Sequence, residues 1–128
     1  MEKEKMERNR ILVVDDNSDL AEAIADVLDI QGYRVDVAFN SKDALEKYEE
    51  EKFDIVLMDI KLPDKNGVDS FIEMKKIHPD AVVAFMTSYK EPELINRAVA
   101  NGVCRVFYKP FNIPKLLKVI DKIKRNHF

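Results

Sequence analysis

The chain has little with which to build cross-links or bind soft metals. Its one cysteine, Cys104, cannot form an internal disulfide, which suits a reducing compartment. Of its two histidines, His78 precedes Pro79 at an expected helix end and His127 lies near the C-terminus. Both read as solvated side chains and not as metal ligands or phosphotransfer groups. No apolar stretch approaches the length of a transmembrane helix. Residues 1–9 alternate acids and bases without the apolar core of a signal peptide. They are expected to form a charged tail on a cytoplasmic protein. A net charge of −3 gives no bulk attraction to nucleic acid or to an anionic membrane, so neither is an expected partner. At 128 residues there is room for one core, which we place in residues 10–126, and none for a DNA-binding module beside it. Repeats, low-complexity tracts and long linkers are also missing.

What the chain does have is a regular alternation of short apolar runs and helical periods. Strands are expected at Ile11–Val14, Arg34–Phe39, Phe53–Met58, Ala81–Met86 and Val103–Tyr108. After Asn17-Ser18 a helix is expected to about Gln31, with Leu20, Ile24, Val27 and Leu28 on one face and Gly32 as its stop. Ser41 is expected to cap a second helix that buries Ala44, Leu45 and Tyr48. The turn signals of Lys61-Leu62-Pro63-Asp64-Lys65-Asn66-Gly67 precede a third helix, from about Val68 to Ile77, offering Phe71, Ile72 and Met74 to the core. Pro92 suits the first turn of a fourth. Asn112 caps a fifth that turns Leu116, Ile120 and Ile123 inward. Five βα units with near-continuous apolar strands imply an α/β fold, a doubly wound parallel sheet covered on both faces.

Such a sheet gathers chemistry at the carboxyl ends of its strands. The first strand ends in Asp15-Asp16, the third in Asp59, the fourth in Thr87-Ser88 and the fifth in Lys109-Pro110. Two unit charges about 4 Å apart repel by about 4 kcal/mol at an effective dielectric near 20. A cluster of three carboxylates therefore calls for a cation, a bound proton or both. The acids can hold one hard divalent cation through oxygen. A hydroxyl and an ammonium can then contact the remaining oxygens of a phosphoryl group. Singly, each element has a plainer explanation: Asp-Asp after a strand is a common helix start, and Thr-Ser can simply cap.

Taken in order, these residues closely resemble the receiver domain of bacterial response regulators, of the single-domain, chemotaxis-regulator-like kind. The resemblance rests on Asp15-Asp16, on Met58-Asp59-Ile60-Lys61-Leu62-Pro63, on Asn66-Gly67, on Thr87-Ser88 and on Lys109-Pro110-Phe111. It implies a flavodoxin-like fold of five strands in the order 2-1-3-4-5 with five helices. It implies that Asp59 accepts a phosphoryl group from a histidine kinase or phosphotransfer protein. Asp16, Asp59 and the carbonyl of Lys61 would ligate Mg2+ (or Mn2+), with Asp15 acting through a bound water. Lys109 would pair with the acids or with a phosphoryl oxygen, and the Lys109-Pro110 bond would be cis. Thr87 would move toward the phosphoryl group. Catalysis would be limited to the protein's own aspartyl phosphorylation and dephosphorylation. Output would come through binding a protein target, or a second copy, on the face of helix four, strand five and helix five.

Three positions tune this pattern. Where the family usually has an aromatic residue three before the lysine, this chain has Val106, which points the response toward the loop before helix four. Lys61 and Tyr89, each two residues beyond a site residue, would flank the path of the hydrolytic water and slow loss of the phosphoryl group. The exposed lysines expected on helix five, Lys115, Lys118 and Lys122, are either a solvated face or a dock for an acidic partner. The same two readings apply to Glu46, Glu49, Glu50 and Glu51. The competing function is a receiver-like interaction module that is never phosphorylated. A dehalogenase-type phosphatase would want a second aspartate two after the first, absent from Asp59-Ile60-Lys61. A flavin protein would not place Asp15-Asp16 against a phosphate.

Overall fold

The computed structural model describes residues 9–88, 90–110 and 112–127, with side chains described to residue 125. Five parallel strands, β1 (Arg10–Val14), β2 (Arg34–Ala38), β3 (Ile55–Asp59), β4 (Val83–Thr87) and β5 (Arg105–Tyr108), form one sheet in the order β2-β1-β3-β4-β5. They alternate with α1 (Ser18–Ile30), α2 (Ser41–Glu50), α3 (Gly67–Ile77), α4 (Pro92–Ala100) and α5 (Ile113–His127). None of the described helices is long and apolar enough to cross a membrane.

The strands are apolar throughout because both faces of the sheet are covered. Side chains alternate across a strand, and the core splits accordingly. Leu12, Val14, Val56, Met58, Val83 and Phe85 pack with residues of α2, α3 and α4. Ile11, Val13, Ile55, Leu57, Ala84, Met86 and Phe107 pack with residues of α1 and α5. Phe71 of α3 meets Phe85 of β4 edge-to-face, with ring centroids 5.8 Å apart.

Several local expectations shift. Ser41 does not cap α2. Asn40, in extended backbone, does so by accepting from the Asp43 N–H at 2.8 Å. Ser41 is the first helical residue; it is buried, and its hydroxyl donates to the Lys65 carbonyl at 2.7 Å. Leu20, Val27, Leu45 and Ile72 are only half-buried, since they sit at the margins of helix faces centred on Ala21, Ile24 and Leu28, on Ala44 and Tyr48, and on Phe71 and Met74. β4 begins two residues later than expected, because Ala81 is held in a turn by the His78 carbonyl. His78 is not a solvated side chain. It is half-buried and packs edge-to-face on Tyr48 at 5.4 Å. Cys104 is half-buried just before β5, and burial pushes its thiol above the ordinary value despite nearby Arg105.

Candidate functional site

Strand register builds the site. Val14 of β1 pairs with Met58 of β3, so Asp15, just past β1, and Asp59, the last residue of β3, stand side by side. Asp59 pairs with Met86 of β4, and Thr87 with Tyr108 of β5. Lys109 therefore leaves β5 beside Thr87, whose carbonyl accepts the Lys109 N–H at 2.7 Å. Carboxylate oxygens of Asp15, Asp16 and Asp59 lie within 4.8 Å of one another. Asp15 and Thr87 are buried, Asp59 is 9% exposed and Asp16 faces solvent.

The Lys109 ammonium bridges the two buried acids. It donates to Asp15 Oδ2 at 2.8 Å and to Asp59 Oδ2 at 3.0 Å. The other oxygens accept backbone N–H groups, Asp15 Oδ1 from Asn17 at 2.9 Å and Asp59 Oδ1 from Lys61 at 3.1 Å. Loop residues just past each strand thus fix the carboxylates. The Lys109-Pro110 bond is cis.

Charge and burial oppose each other here. Burial pushes the Asp59 carboxyl above its ordinary value, with the Asp15 charge acting the same way, against the hydrogen bonds and charge of Lys109. Burial alone would lower the Lys109 ammonium, but the hydrogen bonds it donates to both acids, with their negative charge, outweigh it and raise it. One ammonium against three carboxylates leaves negative charge at an all-oxygen edge, a donor set suited to a hard divalent cation.

The remaining expected residues take distinct places. The Lys61 side chain is exposed and its ammonium lies 3.1 Å from Glu91. Val106 is half-buried and lines a cleft of 330 Å³ with Tyr108, Pro110 and Lys115. Phe107 turns to the opposite face, into the α1–α5 core. Tyr89 lies outside the described residues, as do Phe111 and the residue 1–8 part of the charged tail. Two groups were not legible beforehand. Asp64 accepts the Ser41 and Lys42 N–H groups at 2.9 and 3.0 Å, tying the loop after β3 to the start of α2. Glu91 pairs with Lys61. Both contacts span more than 20 residues and leave no local pattern.

An acidic pair bridged by lysine, with a third acid open to solvent at the carboxyl edge of a β2-β1-β3-β4-β5 sheet, defines a phosphoacceptor-type receiver architecture. Residues 11–121 match the sequence model of the response regulator receiver domain, and the chain belongs to that family. Chemotaxis protein CheY of Thermotoga maritima is 32% identical over 117 residues, 91% of this chain and 98% of that protein. The chain is also similar to the crystal structure of a CheY-like receiver domain protein from Methanospirillum hungatei JF-1, with TM-score 0.86 and 31% identity, over 92% of this chain and 95% of the other. A third relative is response regulator TrrA of Thermotoga maritima, solved in complex with Mg2+-BeF, with TM-score 0.80 and 30% identity, over 90% and 98% of the two chains. Some relatives are much longer: the chain spans 25% of regulatory protein AtoC of Escherichia coli. Members of the family act as phosphoacceptor switches in two-component signalling, and receiver domains interact with histidine kinases or phosphotransfer proteins.

Proposed function

We propose that Asp59 is the phosphoacceptor and that residues 10–126 form the receiver domain around it. The observation that carries this is the Lys109 bridge: one ammonium holds Asp59 and Asp15 together in a buried setting, so Asp59 keeps a nucleophilic oxygen oriented at the sheet edge. In the reaction a carboxylate oxygen of Asp59 bonds to the phosphorus of a phosphohistidine. The phosphorus–nitrogen bond breaks, and the imidazole leaves with its electron pair and takes a proton. Lys109 follows the charge from the carboxylate to a phosphoryl oxygen, and the Thr87 hydroxyl contacts another. Asp16, Asp59 and the Lys61 carbonyl would hold Mg2+, or Mn2+, with Asp15 behind a water. The ion, when bound, neutralises charge on the acids and the incoming phosphoryl oxygens. Positioning and charge neutralisation supply most of the catalysis in such transfers. Water attacking the same phosphorus then breaks the Asp59 oxygen–phosphorus bond and releases inorganic phosphate, so the protein is an enzyme toward itself alone.

Output is by protein binding on the α4–β5–α5 face. Tyr108 is 43% exposed there and lies between the 330 Å³ cleft and a second of 210 Å³ lined by Pro92, Ile95 and Asn96. Arg105, Lys115, Lys118 and Lys122 are exposed around it. These cations favour an acidic target surface or acidic residues of a second copy, while the net charge of −3 gives no bulk attraction to nucleic acid. Val106, smaller than an aromatic, leaves the Thr87 response to run through the loop into α4. The test of the phosphoacceptor reading is incubation with acetyl phosphate and Mg2+, read by intact mass. The parent gains one phosphoryl group, and Asp59→Asn or chelation of Mg2+ prevents the gain. A parent that gains none is a constitutive interaction module instead.

A further inference from the structure

Four helices start on an asparagine whose side chain accepts a backbone N–H: Asn17 from Leu20, Asn40 from Asp43, Asn66 from Asp69 and Asn112 from Lys115. Helix α4 starts differently. Its first residue is Pro92, the residue before it is Glu91, and Glu91 makes no side-chain capping hydrogen bond. Its Oε1 instead lies 3.1 Å from the Lys61 ammonium. This pair joins the loop after β3 to the loop after β4, the two loops that lead away from Asp59 and Thr87. Lys61 is also bound to the site through its own backbone, since its N–H donates to Asp59 Oδ1 at 3.1 Å.

The ion pair is a weak one by its setting. The Lys61 side chain is 66% exposed and that of Glu91 is 33% exposed, and water screens such pairs. A stronger charge nearby can therefore take one partner. A phosphoryl group brings close to two negative charges, and on Asp59 it would stand two residues from Lys61. The carboxylate that Lys61 abandons is attached at the start of a helix, where the first backbone N–H groups have no intrahelical acceptor and the dipole favours negative charge.

We propose that Lys61 and Glu91 form a two-position switch. Without a phosphoryl group, Lys61 holds the Glu91 carboxylate away from α4. With one, Lys61 turns to the phosphoryl oxygens and Glu91 caps α4 through the Glu93 or Leu94 N–H. This rests on the reading of Asp59 as phosphoacceptor, and it makes Glu91 a positioning residue that acts through Lys61. The route runs from Asp59 to α4 through charge, and needs no aromatic side chain at Val106.

Solvent-exchange rates of the Glu93 and Leu94 amides, measured by NMR on the full chain, test it. In the parent these amides slow by about fivefold on phosphorylation or beryllofluoride addition, the factor expected of a helix cap. In Lys61→Ala, and in Lys61→Gln as a second variant, they are already slow with no phosphoryl present. In Glu91→Ala they stay fast in both states. Parent-like fast exchange in both Lys61 variants overturns the proposal, as does a gain of protection in Glu91→Ala. So does a phosphorylated parent whose amides do not slow. The Lys61 variants are read without phosphorylation, so a failure of Asp59 to accept a phosphoryl group is seen separately by intact mass.

Discussion

Gly67 stands against the backbone of Asp59. A Cβ built on Gly67 would lie 2.5 Å from the Asp59 carbonyl oxygen and 3.0 Å from the Phe85 ring. The Gly67 N–H also donates to the Ile60 carbonyl at 2.7 Å. The start of α3 is therefore laid directly on the end of the strand that carries the proposed nucleophile. Alanine at this position must push the helix or the strand away. Overpacking of this kind costs about 1–3 kcal/mol. Gly67→Ala is expected to lower the unfolding free energy by that amount in urea titration and to slow phosphoryl uptake from acetyl phosphate. An alanine variant as stable and as reactive as the parent would show that the close approach has no bearing on the site.

Asp16 adds a third negative charge to a pair that Lys109 already bridges. Asp16→Asn is expected to raise the melting temperature in the presence of a chelator, because like-charge repulsion is relieved. The same variant should lose most of the further rise that Mg2+ gives the parent, since binding to the native state is what stabilises. Calorimetric or fluorescence melting with and without Mg2+ checks both signs. Functional sites commonly carry such a stability cost.

Asp64 gives the acid side of the stability curve a specific component. Its slight burial would raise the carboxyl, but hydrogen bonds from Ser41 and Lys42 outweigh this and hold it below the ordinary 3.8. A carboxylate lowered by folding contributes stability above its unfolded value, and loses it as pH falls through the folded one. Asp64→Ala is expected to cost about 1 kcal/mol at pH 7, the typical loss for a helix-start acceptor. The gap from the parent should narrow as pH falls below 3.8. A gap that widens on acidification contradicts the assignment.

Lys61 and Tyr89 are proposed to shield the aspartyl phosphate from water. Lys61→Asn and Tyr89→Ala are each expected to speed loss of the phosphoryl group severalfold, followed by intact mass after removal of the phosphodonor. Unchanged or slower decay in both variants rejects the idea.

Much of this was legible in the sequence, for identifiable reasons. Strands buried on both faces read as unbroken apolar runs, as in Ile55-Val56-Leu57-Met58. Asn17 and Asn112 announce their helices through local capping chemistry. The carboxyl edge could be inferred because its polar residues come at the ends of apolar runs, as Asp15-Asp16, Asp59, Thr87 and Lys109 do. What stayed hidden depends on contacts distant in sequence. Ser41 looked like a cap because its hydroxyl suits one, yet Asn40 is the last non-helical residue and takes the role. Asp64 looked like a turn residue, and only the fold brings α2 to it. The side-chain partners of Glu91 and His78 lie 30 residues away. Periodicity marked the centres of helix faces better than their margins, as Val27 and Ile72 show.

The central claim is that Asp59 is the group that becomes phosphorylated. Borohydride reduces an aspartyl phosphate to homoserine, which can be located by peptide mass spectrometry after treatment with acetyl phosphate and Mg2+. Homoserine is expected at position 59 and at neither 15 nor 16. Homoserine at Asp15 or Asp16, or a phosphorylated protein with aspartate intact at position 59, would contradict it.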